Sequence, residues 1–451
     1  MRPYLKLLSI ALLFVLAGAA AAQTARPIRV EMKETRLPNG LRVITVEDHN
    51  APVIAIDITY NVGSRDERQG RTGFAHLFEH MMFKGSENVG TGEHFYLVFN
   101  NGGNMNGTTN EDRTTYFEAL PSNQLDLALY LEADRMRSLV INKANLDNQR
   151  NAVQEERRLG VDNQPYGKSG EIQQALIYDN FAYKHTVIGS MDDLNAATVE
   201  DVAAFFKTYY APNNAVLTLV GDFKTADALK KIKENFGSIP RQPDPPAVDM
   251  TEPEQKAERR ADVDDALARL PQIDIAFKAV PGNTADFYAL QVLSAALQGG
   301  QSSRFYQSLV KEKQLVTNIF GFIDEKRGTG AFYISGTVRQ GVKPADVEAA
   351  IYDEIERVKK EGVADWEVQK AKNTTRRNFI NSMQSSLSRA INISVWSVYY
   401  NDPNLINTRL DKVAAVTKED VQRVANKYLT AAYRTVVITT PKKAAPVAAG
   451  Q

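Results

Sequence analysis

The chain has 451 residues, no cysteine, and 54 Lys and Arg residues against 54 Asp and Glu residues. The lack of cysteine excludes disulfides, a thiol nucleophile, thiolate zinc ligands and a lipid-modified N-terminal cysteine. A chain without net charge gives no reason to expect nucleic acid or an anionic membrane as a partner. The length alone predicts two or more domains.

The N-terminus has the pattern of a secretory signal peptide. Arg2 and Lys6 precede an apolar run over 7–16, and an alanine-rich stretch ends at Ala22 with an A-x-A cleavage site. We therefore predict a signal peptide over residues 1–22 and an exported protein, periplasmic or secreted. The apolar run is too short to cross a membrane, and no later segment has 18 consecutive apolar residues, so no membrane span is expected.

Apolar runs with β-branched residues then predict strands, interleaved with helices. In the first half the strands are expected at 42–46, 53–60 and 114–120. In the second half strand-like runs occupy 273–280, 319–323 and 331–338, and helical patterns occupy 347–359 and 366–378. This order predicts an α+β fold with an α/β sandwich in each half, in which helices pack on one face of a mainly antiparallel sheet.

Two of the five histidines lie four residues apart in the motif His76-x-x-Glu79-His80. On a helix His76 and His80 share one face, so both imidazoles can reach one metal ion while Glu79 lies beside them. The pattern is H-x-x-E-H, the reverse of the H-E-x-x-H motif of zinc peptidases. A solvated helix face is the alternative, in which Glu79 would form a surface ion pair with Lys84 worth only about 0–1 kcal/mol.

A catalytic zinc site needs three protein ligands and an open position for water, so a third ligand must come from elsewhere. A second helix, predicted over 144–159, carries Glu155 and Glu156 and supplies a candidate. The Asn- and Gly-rich segment 100–112 lies between the two helices. The residues alone allow it to be a plain turn before the strand at 114–120 or part of a binding edge.

The two halves of the chain resemble each other. Thr198-Val-Glu-Asp-Val202 recurs in the second half as Thr417-Lys-Glu-Asp-Val421, and each copy opens a helix that is followed by a strand. Four prolines between residues 240 and 246 begin a segment without periodicity. We predict a metal-binding domain over 27–240, a linker over 241–260, a homologous domain without metal over 261–440 and a flexible tail over 441–451.

On these motifs the chain, over roughly residues 30–440, resembles the pitrilysin/insulysin family of inverzincin zinc metallopeptidases, in the branch of short subunits related to the mitochondrial processing peptidase. The resemblance implies two homologous α+β domains that form half of a clam-shell chamber. It also implies one Zn²⁺ per chain, bound by His76, His80 and Glu156. Glu156 follows His80 at the spacing found in the family and matches the second carboxylate of the family's V-x-x-E-E-R-R-like stretch.

The resemblance implies further roles for residues of the first domain. Glu79 would act as the general base on the water that the metal activates. Asn104, Met105 and Asn106 would line the edge strand that pairs with the substrate. The chain departs from the family at Gln149, where active members usually carry a supporting Glu near the metal.

A second departure lies in the second domain. Residues 302–306, Ser-Ser-Arg-Phe-Tyr, match the family well, but Lys311 and the pair Thr317-Asn318 stand where the family has an Arg and a Tyr that contact the substrate. The resemblance therefore predicts a heterodimer in which a homologous subunit supplies the Arg/Tyr pair. All five histidines lie at or before position 185, so the second domain cannot repeat the metal site.

These observations predict an exported, zinc-dependent endopeptidase subunit that hydrolyses unfolded peptides. One alternative is a peptidase-derived assembly subunit that retains zinc but has little turnover. Another is a scaffold protein with a structural metal. Structural zinc sites usually have four protein ligands, often cysteines, whereas this chain offers three ligands and no cysteine, which disfavours the scaffold.

Overall fold

Two β-sheets, one in each half of the chain, form the frame of the computed structural model, which describes residues 29–442. The predicted signal peptide and residues 443–451 of the predicted tail lie outside this described part. The strands of the first sheet are β1 (Lys33–Arg36), β2 (Arg42–Glu47), β3 (Val53–Tyr60), β4 (Asn104–Thr109), β5 (Thr114–Pro121) and β6 (Ala215–Gly221). Those of the second sheet are β7 (Arg259–Asp265), β8 (Gln272–Lys278), β9 (Val316–Ile323), β10 (Ala331–Val338) and β11 (Arg434–Pro441).

Helices form much of the remaining chain. Those of the first half are α1 (Phe74–Met81), α2 (Glu93–Asn100), α3 (Leu125–Ser138), α4 (Lys143–Arg157), α5 (Gly167–Ile177), α6 (Phe181–Lys184), α7 (Met191–Asn195), α8 (Val199–Tyr209) and α9 (Thr225–Phe236). Those of the second half are α10 (Ala285–Gln298), α11 (Pro344–Glu361), α12 (Asp365–Met383), α13 (Ser386–Tyr400), α14 (Leu405–Ala414) and α15 (Lys418–Tyr428). Among the described residues, no helix is long and apolar enough to cross a membrane.

The two sheets share one topology. Their strand orders are β1-β2-β6-β3-β5-β4 and β7-β11-β8-β10-β9, so each strand except β1 has a counterpart in the other sheet. One pair in each sheet is parallel, β2 with β6 and β7 with β11, and the other pairs are antiparallel. The helices α8 and α15 also begin alike, with capping boxes at Thr198–Asp201 and Thr417–Asp420. The fold therefore has the two homologous α+β domains expected from the sequence.

In each half, one helix packs on the sheet of the other half. Side chains alternate along β6, so its leucines enter the core of the first half while Thr218 faces the opposite side. Helix α13 of the second half packs on that side, where Ser394 Oγ donates a hydrogen bond to Thr218 Oγ1 at 2.7 Å. Helix α5 of the first half takes the equivalent place on the second sheet, with Ser169 Oγ 2.5 Å from Thr439 Oγ1. Each sheet thus has helices of its own domain on one face, as predicted, and one helix from the other domain on the opposite face. We call α5 and α13 the exchanged helices.

The predicted elements agree closely with the observed ones. Strands expected at 53–60 and 331–338 match β3 and β10, and the helix expected over 144–159 is α4 with a π-helical turn at Arg158–Asp162. Strand β9 begins at Val316, three residues earlier than expected. Residues 241–258 of the predicted linker contain no helix or strand, and β7 begins at Arg259, inside the predicted range.

Candidate metal centre

The apolar face of α1 fixes the orientation of the H-x-x-E-H motif. Phe74, Leu77, Phe78 and Met81 recur at helical spacing, and all four are buried in the core of the first domain. The ring of Phe78 lies 4.1 Å from that of Tyr210, centre to centre. Since this face is committed to the core, the two histidines of the motif must point to the other side of the helix.

The structure brings the three predicted metal ligands together. Nε2 of His76 lies 3.5 Å and Nε2 of His80 lies 3.4 Å from Oε2 of Glu156, which α4 carries as it packs against α1. Two bonds of about 2.1 Å at a tetrahedral angle separate ligand atoms by about 3.4 Å, so these distances fit a single Zn²⁺. Two imidazoles and one carboxylate are also the ligands of a catalytic zinc site with an open position. These residues, the ligand trio, therefore fit the metal.

The electrostatic state of the trio also suits a cation. Burial, followed by the charge of His80, lowers the pKa of His76 to about 4, so its imidazole is neutral at neutral pH. A hydrogen bond from His80 lowers the pKa of Glu156, although partial burial opposes the shift. Neutral imidazole and ionised carboxylate are the forms that bind a metal. The side chain of Glu156 is 52% exposed, which leaves the trio open on one side.

Glu79, the predicted general base, is buried next to the trio. The Thr109 hydroxyl donates a hydrogen bond of 2.6 Å to its Oε2. Burial raises the pKa of Glu79, and the bond from Thr109 partly offsets this rise. A carboxylate whose pKa is raised is a stronger base for proton transfer. Thr109 was not among the residues predicted for the site, and only its position in the polar segment 100–112 could have indicated it.

The segment 100–112 is a strand for much of its length, and that strand has a free edge. Strand β4 pairs with β5 on one side and ends the sheet on the other. Asn104 and Asn106 are exposed, as a substrate-binding strand requires. Met105, predicted to line the site, has its side chain in the hydrophobic core, so only its backbone is available there. The segment is thus an edge strand and not a plain turn, while its role in substrate binding stays a prediction.

Gln149, which replaces the supporting Glu of the family, is buried on α4. Its amide donates to Asn148 Oδ1 at 2.6 Å, and within the described residues no hydrogen bond joins it to the ligand trio. In the second domain, Arg304 is the arginine nearest in sequence to the positions where the family's Arg and Tyr are missing. Arg304 makes a double ion pair with Glu367, at 2.7 and 2.6 Å, so its guanidinium is engaged within its own domain.

A second group of side chains of types that can bind a metal, His94, Glu118 and Glu132, is buried between α2, β5 and α3. Arg135 donates to both oxygens of Glu132, and its guanidinium lies 4.6 Å from the ring centre of Tyr116. Burial raises the pKa of Glu118 to about 8, and burial with the charge of Arg135 lowers the pKa of His94 to about 3. Both are uncharged at neutral pH, so we interpret the group as a structural polar cluster balanced by Arg135.

Comparison with known proteins agrees with this geometry. The sequence model of the family insulinase (peptidase family M16) matches residues 42–180. The sequence model of the peptidase M16 inactive domain matches residues 196–375. The zinc protease PqqE of Helicobacter pylori is 30% identical over 437 residues, which cover 96% of this chain and 98% of that protein. The crystal structure of a protease from Helicobacter pylori has a TM-score of 0.87 at 30% identity and covers 92% of this chain and 100% of that chain.

A more distant structure shows the same fold as part of a longer chain. The first half of the periplasmic protease PqqL of Escherichia coli has a TM-score of 0.72 at 18% identity and covers 94% of this chain and 96% of that half. In the complete PqqL structure, the match covers 50% of the PqqL chain.

The fold and the ligand trio beside Glu79 place the protein in the metallopeptidase class. The chain belongs to peptidase family M16, as its 30% identity to a zinc protease over almost the full length of both proteins shows. The resemblance drawn from the H-x-x-E-H motif is therefore confirmed at the level of the family.

Proposed function

We propose that the chain is the zinc-binding subunit of an exported endopeptidase that hydrolyses unfolded peptides. The observation that carries this proposal is the ligand trio, with 3.4 and 3.5 Å between its donor atoms and a buried carboxylate next to it. Because Glu156 is half exposed, the trio is accessible to a substrate, whereas structural zinc sites are closed by four protein ligands.

Each residue of the site then has a separate task. His76, His80 and Glu156 hold the metal, which when bound lowers the pKa of a water molecule toward about 7 and polarises a carbonyl oxygen. Glu79 takes a proton from the attacking water and returns it to the leaving amine. The free edge of β4 binds the peptide as an additional strand, which uses backbone hydrogen bonds and gives little side-chain selectivity.

The proposed assembly is a heterodimer with a homologous exported subunit. Lys311 and Thr317-Asn318 replace the expected Arg and Tyr, and Arg304 is engaged by Glu367, so neither member of the family's Arg/Tyr pair is supplied by these positions of the described chain. The complete PqqL chain is about twice the length that this fold covers, which supports a chamber made from two such units. The predicted signal peptide, together with the similarity to PqqL, a periplasmic protease, supports export.

A second candidate function is an assembly subunit that keeps zinc but has little turnover, and the replacement of the supporting Glu by Gln149 favours it. Peptide hydrolysis by zinc-loaded protein, with and without a chelator and with and without the partner, separates the two. If the chain is an endopeptidase subunit, a chelator should stop the cleavage of unfolded peptides. The same sequence should be cleaved much more slowly within a folded protein. Full metal occupancy without cleavage in any combination would leave the assembly subunit as the better account.

A further inference from the structure

We propose that Thr109 is a positioning residue for Glu79, so that the strand that receives the peptide also orients the general base. The inference rests on the proposed peptidase function and extends it to a residue outside the H-x-x-E-H motif. Thr109 lies at the end of β4, on the same strand as Asn104 and Asn106.

The hydroxyl proton of Thr109 has one favoured acceptor. The Thr109 Oγ1 atom lies 2.6 Å from Glu79 Oε2 but 3.4 Å from Thr114 Oγ1. The hydroxyl of Thr114 itself donates to the carbonyl oxygen of Val62 at 3.0 Å. Because short bonds to a carboxylate are stronger than long bonds between neutral groups, the Thr109 proton is directed to Glu79.

This contact distinguishes the two oxygens of the Glu79 carboxylate. Oε2 accepts the bond from Thr109, whereas no hydrogen bond to Oε1 is found within residues 29–442. Gly107 leaves room on the Oε1 side, since a Cβ there would lie 3.2 Å from Oε1 and 3.0 Å from Glu79 Cγ. Oε1 is therefore the oxygen left free to accept a proton from water.

The pleat of β4 explains why these residues act on Glu79 together. Side chains alternate along a strand, so Gly107 and Thr109 face α1, while Asn106 and Thr108 face the other way. The carboxylate torsion of Glu is soft, because rotation about an sp³–sp² bond has broad minima. Without the hydroxyl of Thr109, the Glu79 carboxylate would rotate more freely, and Oε1 would spend less time oriented toward the attacking water. The loss should appear in kcat and not in KM, because the backbone of β4 that binds the peptide is unchanged.

The test compares Thr109→Val, which removes the hydroxyl at nearly constant volume, with Thr109→Ser, which keeps it. Each variant is loaded with zinc and assayed with the partner subunit for kcat, KM and metal content. Thr440→Val is the matched control, because Thr440 Oγ1 donates to the Asp264 carboxylate at 3.2 Å in the second domain. Binding of an uncleaved peptide is measured in the Glu79→Gln background, so that one readout does not depend on turnover.

For Thr109→Val we expect kcat to fall about tenfold or more, short of the 10²- to 10⁴-fold that general bases contribute. KM, metal content and the peptide Kd in the Glu79→Gln background should stay within about twofold, and Thr109→Ser and Thr440→Val should stay near wild type. A wild-type kcat in Thr109→Val, an equal loss in Thr109→Ser, or a loss of zinc or of peptide binding would overturn the inference. Inactive wild type would overturn the proposed function as well, whereas active wild type with active Thr109→Val would overturn only the role of Thr109.

Discussion

The two domains have the same strand order, but within residues 29–442 the candidate metal ligands all lie in the first. Helix α1 of the first domain has one apolar face and leaves His76 and His80 on the other. Helix α10, which follows the corresponding strand β8 in the second domain, is almost entirely apolar and buried on most sides. The offset between the repeated motifs at Thr198 and Thr417 places Thr375 at the position equivalent to Glu156. The shared topology therefore places a helix behind the sheet in both domains. The residues on the exposed face of that helix determine whether the domain can bind a metal.

The largest effect is expected at Glu79, the proposed general base of the first domain. Glu79→Gln should keep about one zinc per chain and lose 10²- to 10⁴-fold in hydrolysis, because the amide cannot accept the proton of the attacking water. Glu156→Gln should lose metal as well as activity, because the amide is a poor zinc ligand. Metal analysis and peptide hydrolysis on the same samples measure both effects.

Thr375→Ala provides the control that the duplication offers. It changes the second-domain position equivalent to Glu156 and should leave metal content unchanged. If Glu79→Gln retained wild-type hydrolysis, or if Thr375→Ala released zinc, the assignment of the chemistry to the first domain would be wrong.

The next effect concerns the residues that the second domain lacks. Loss of an oxyanion donor costs about 2.7–4 kcal/mol, or 100- to 1,000-fold in rate. We therefore expect the chain alone to cleave peptides 100- to 1,000-fold more slowly than the chain mixed with a homologous subunit that carries the Arg/Tyr pair. Arg or Tyr substitutions in the partner should abolish the gain. Full activity from a homogeneous preparation of this chain would show that no partner is needed.

The sequence predicted the elements better than their packing. Strong β patterns located β3 and β10 to the residue, and the i, i+4 histidines located the candidate metal centre on α1. The residues offered Glu155 and Glu156 as candidates, and Glu156 was chosen only through resemblance, because no local pattern shows that α4 packs against α1. The exchange of α5 and α13 was not predicted, since an amphipathic pattern shows that a helix is buried on one face but not which sheet covers it. The proposed role of Thr109 depends on a contact between β4 and α1. A local sequence pattern does not show such a tertiary contact either.

A third prediction tests whether the exchanged helices couple the two domains. Ile393 is fully buried on α13, the helix that packs on the first sheet, and Ile177 on α5 is in one apolar cluster with Ala276 and Ala331 of the second sheet. Either Ile→Ala change should lower the free energy of unfolding by about 2–5 kcal/mol. Because each helix belongs to one domain and packs on the other, hydrogen exchange should accelerate in both sheets.

The exposed Leu267 provides the comparison, and Leu267→Ala should change stability by no more than about 0.5 kcal/mol. Faster exchange confined to the second sheet in Ile177→Ala, or to the first sheet in Ile393→Ala, would contradict the coupling and indicate two independently unfolding domains.

The domains also share a buried acid beneath their exchanged helices. Asp57 lies opposite Thr218 in the register of β3 with β6, and Asp274 lies opposite Val437 in the register of β8 with β11. Thr218 and Val437 are equivalent positions, because the same offset separates them as separates the repeated motifs. Burial raises the pKa of both acids, and that of Asp57 reaches about 6. A hydroxyl group donates a hydrogen bond to each acid, so the two domains share this polar contact, whereas the candidate metal ligands found among the described residues lie in the first domain.

The smallest effect is expected from removing these charges. The folded chain binds the proton of Asp57 more tightly than the unfolded chain does, so stability should fall as the pH rises from about 4 to about 6 and level off above that window. Asp57→Asn should lack this part of the slope, a difference on the order of 1–3 kcal/mol in the free energy of unfolding between pH 4 and 6. Urea denaturation of both proteins at several pH values measures it. Asp274→Asn should change the slope in the same direction by less, because Asp274 retains 9% exposure whereas Asp57 has none. Parallel curves of unfolding free energy against pH for wild type and Asp57→Asn would mean that Asp57 has the same pKa in the folded and unfolded chains. The buried acids of the two domains would then be a sign of common ancestry, and their burial would not lower stability as the pH rises.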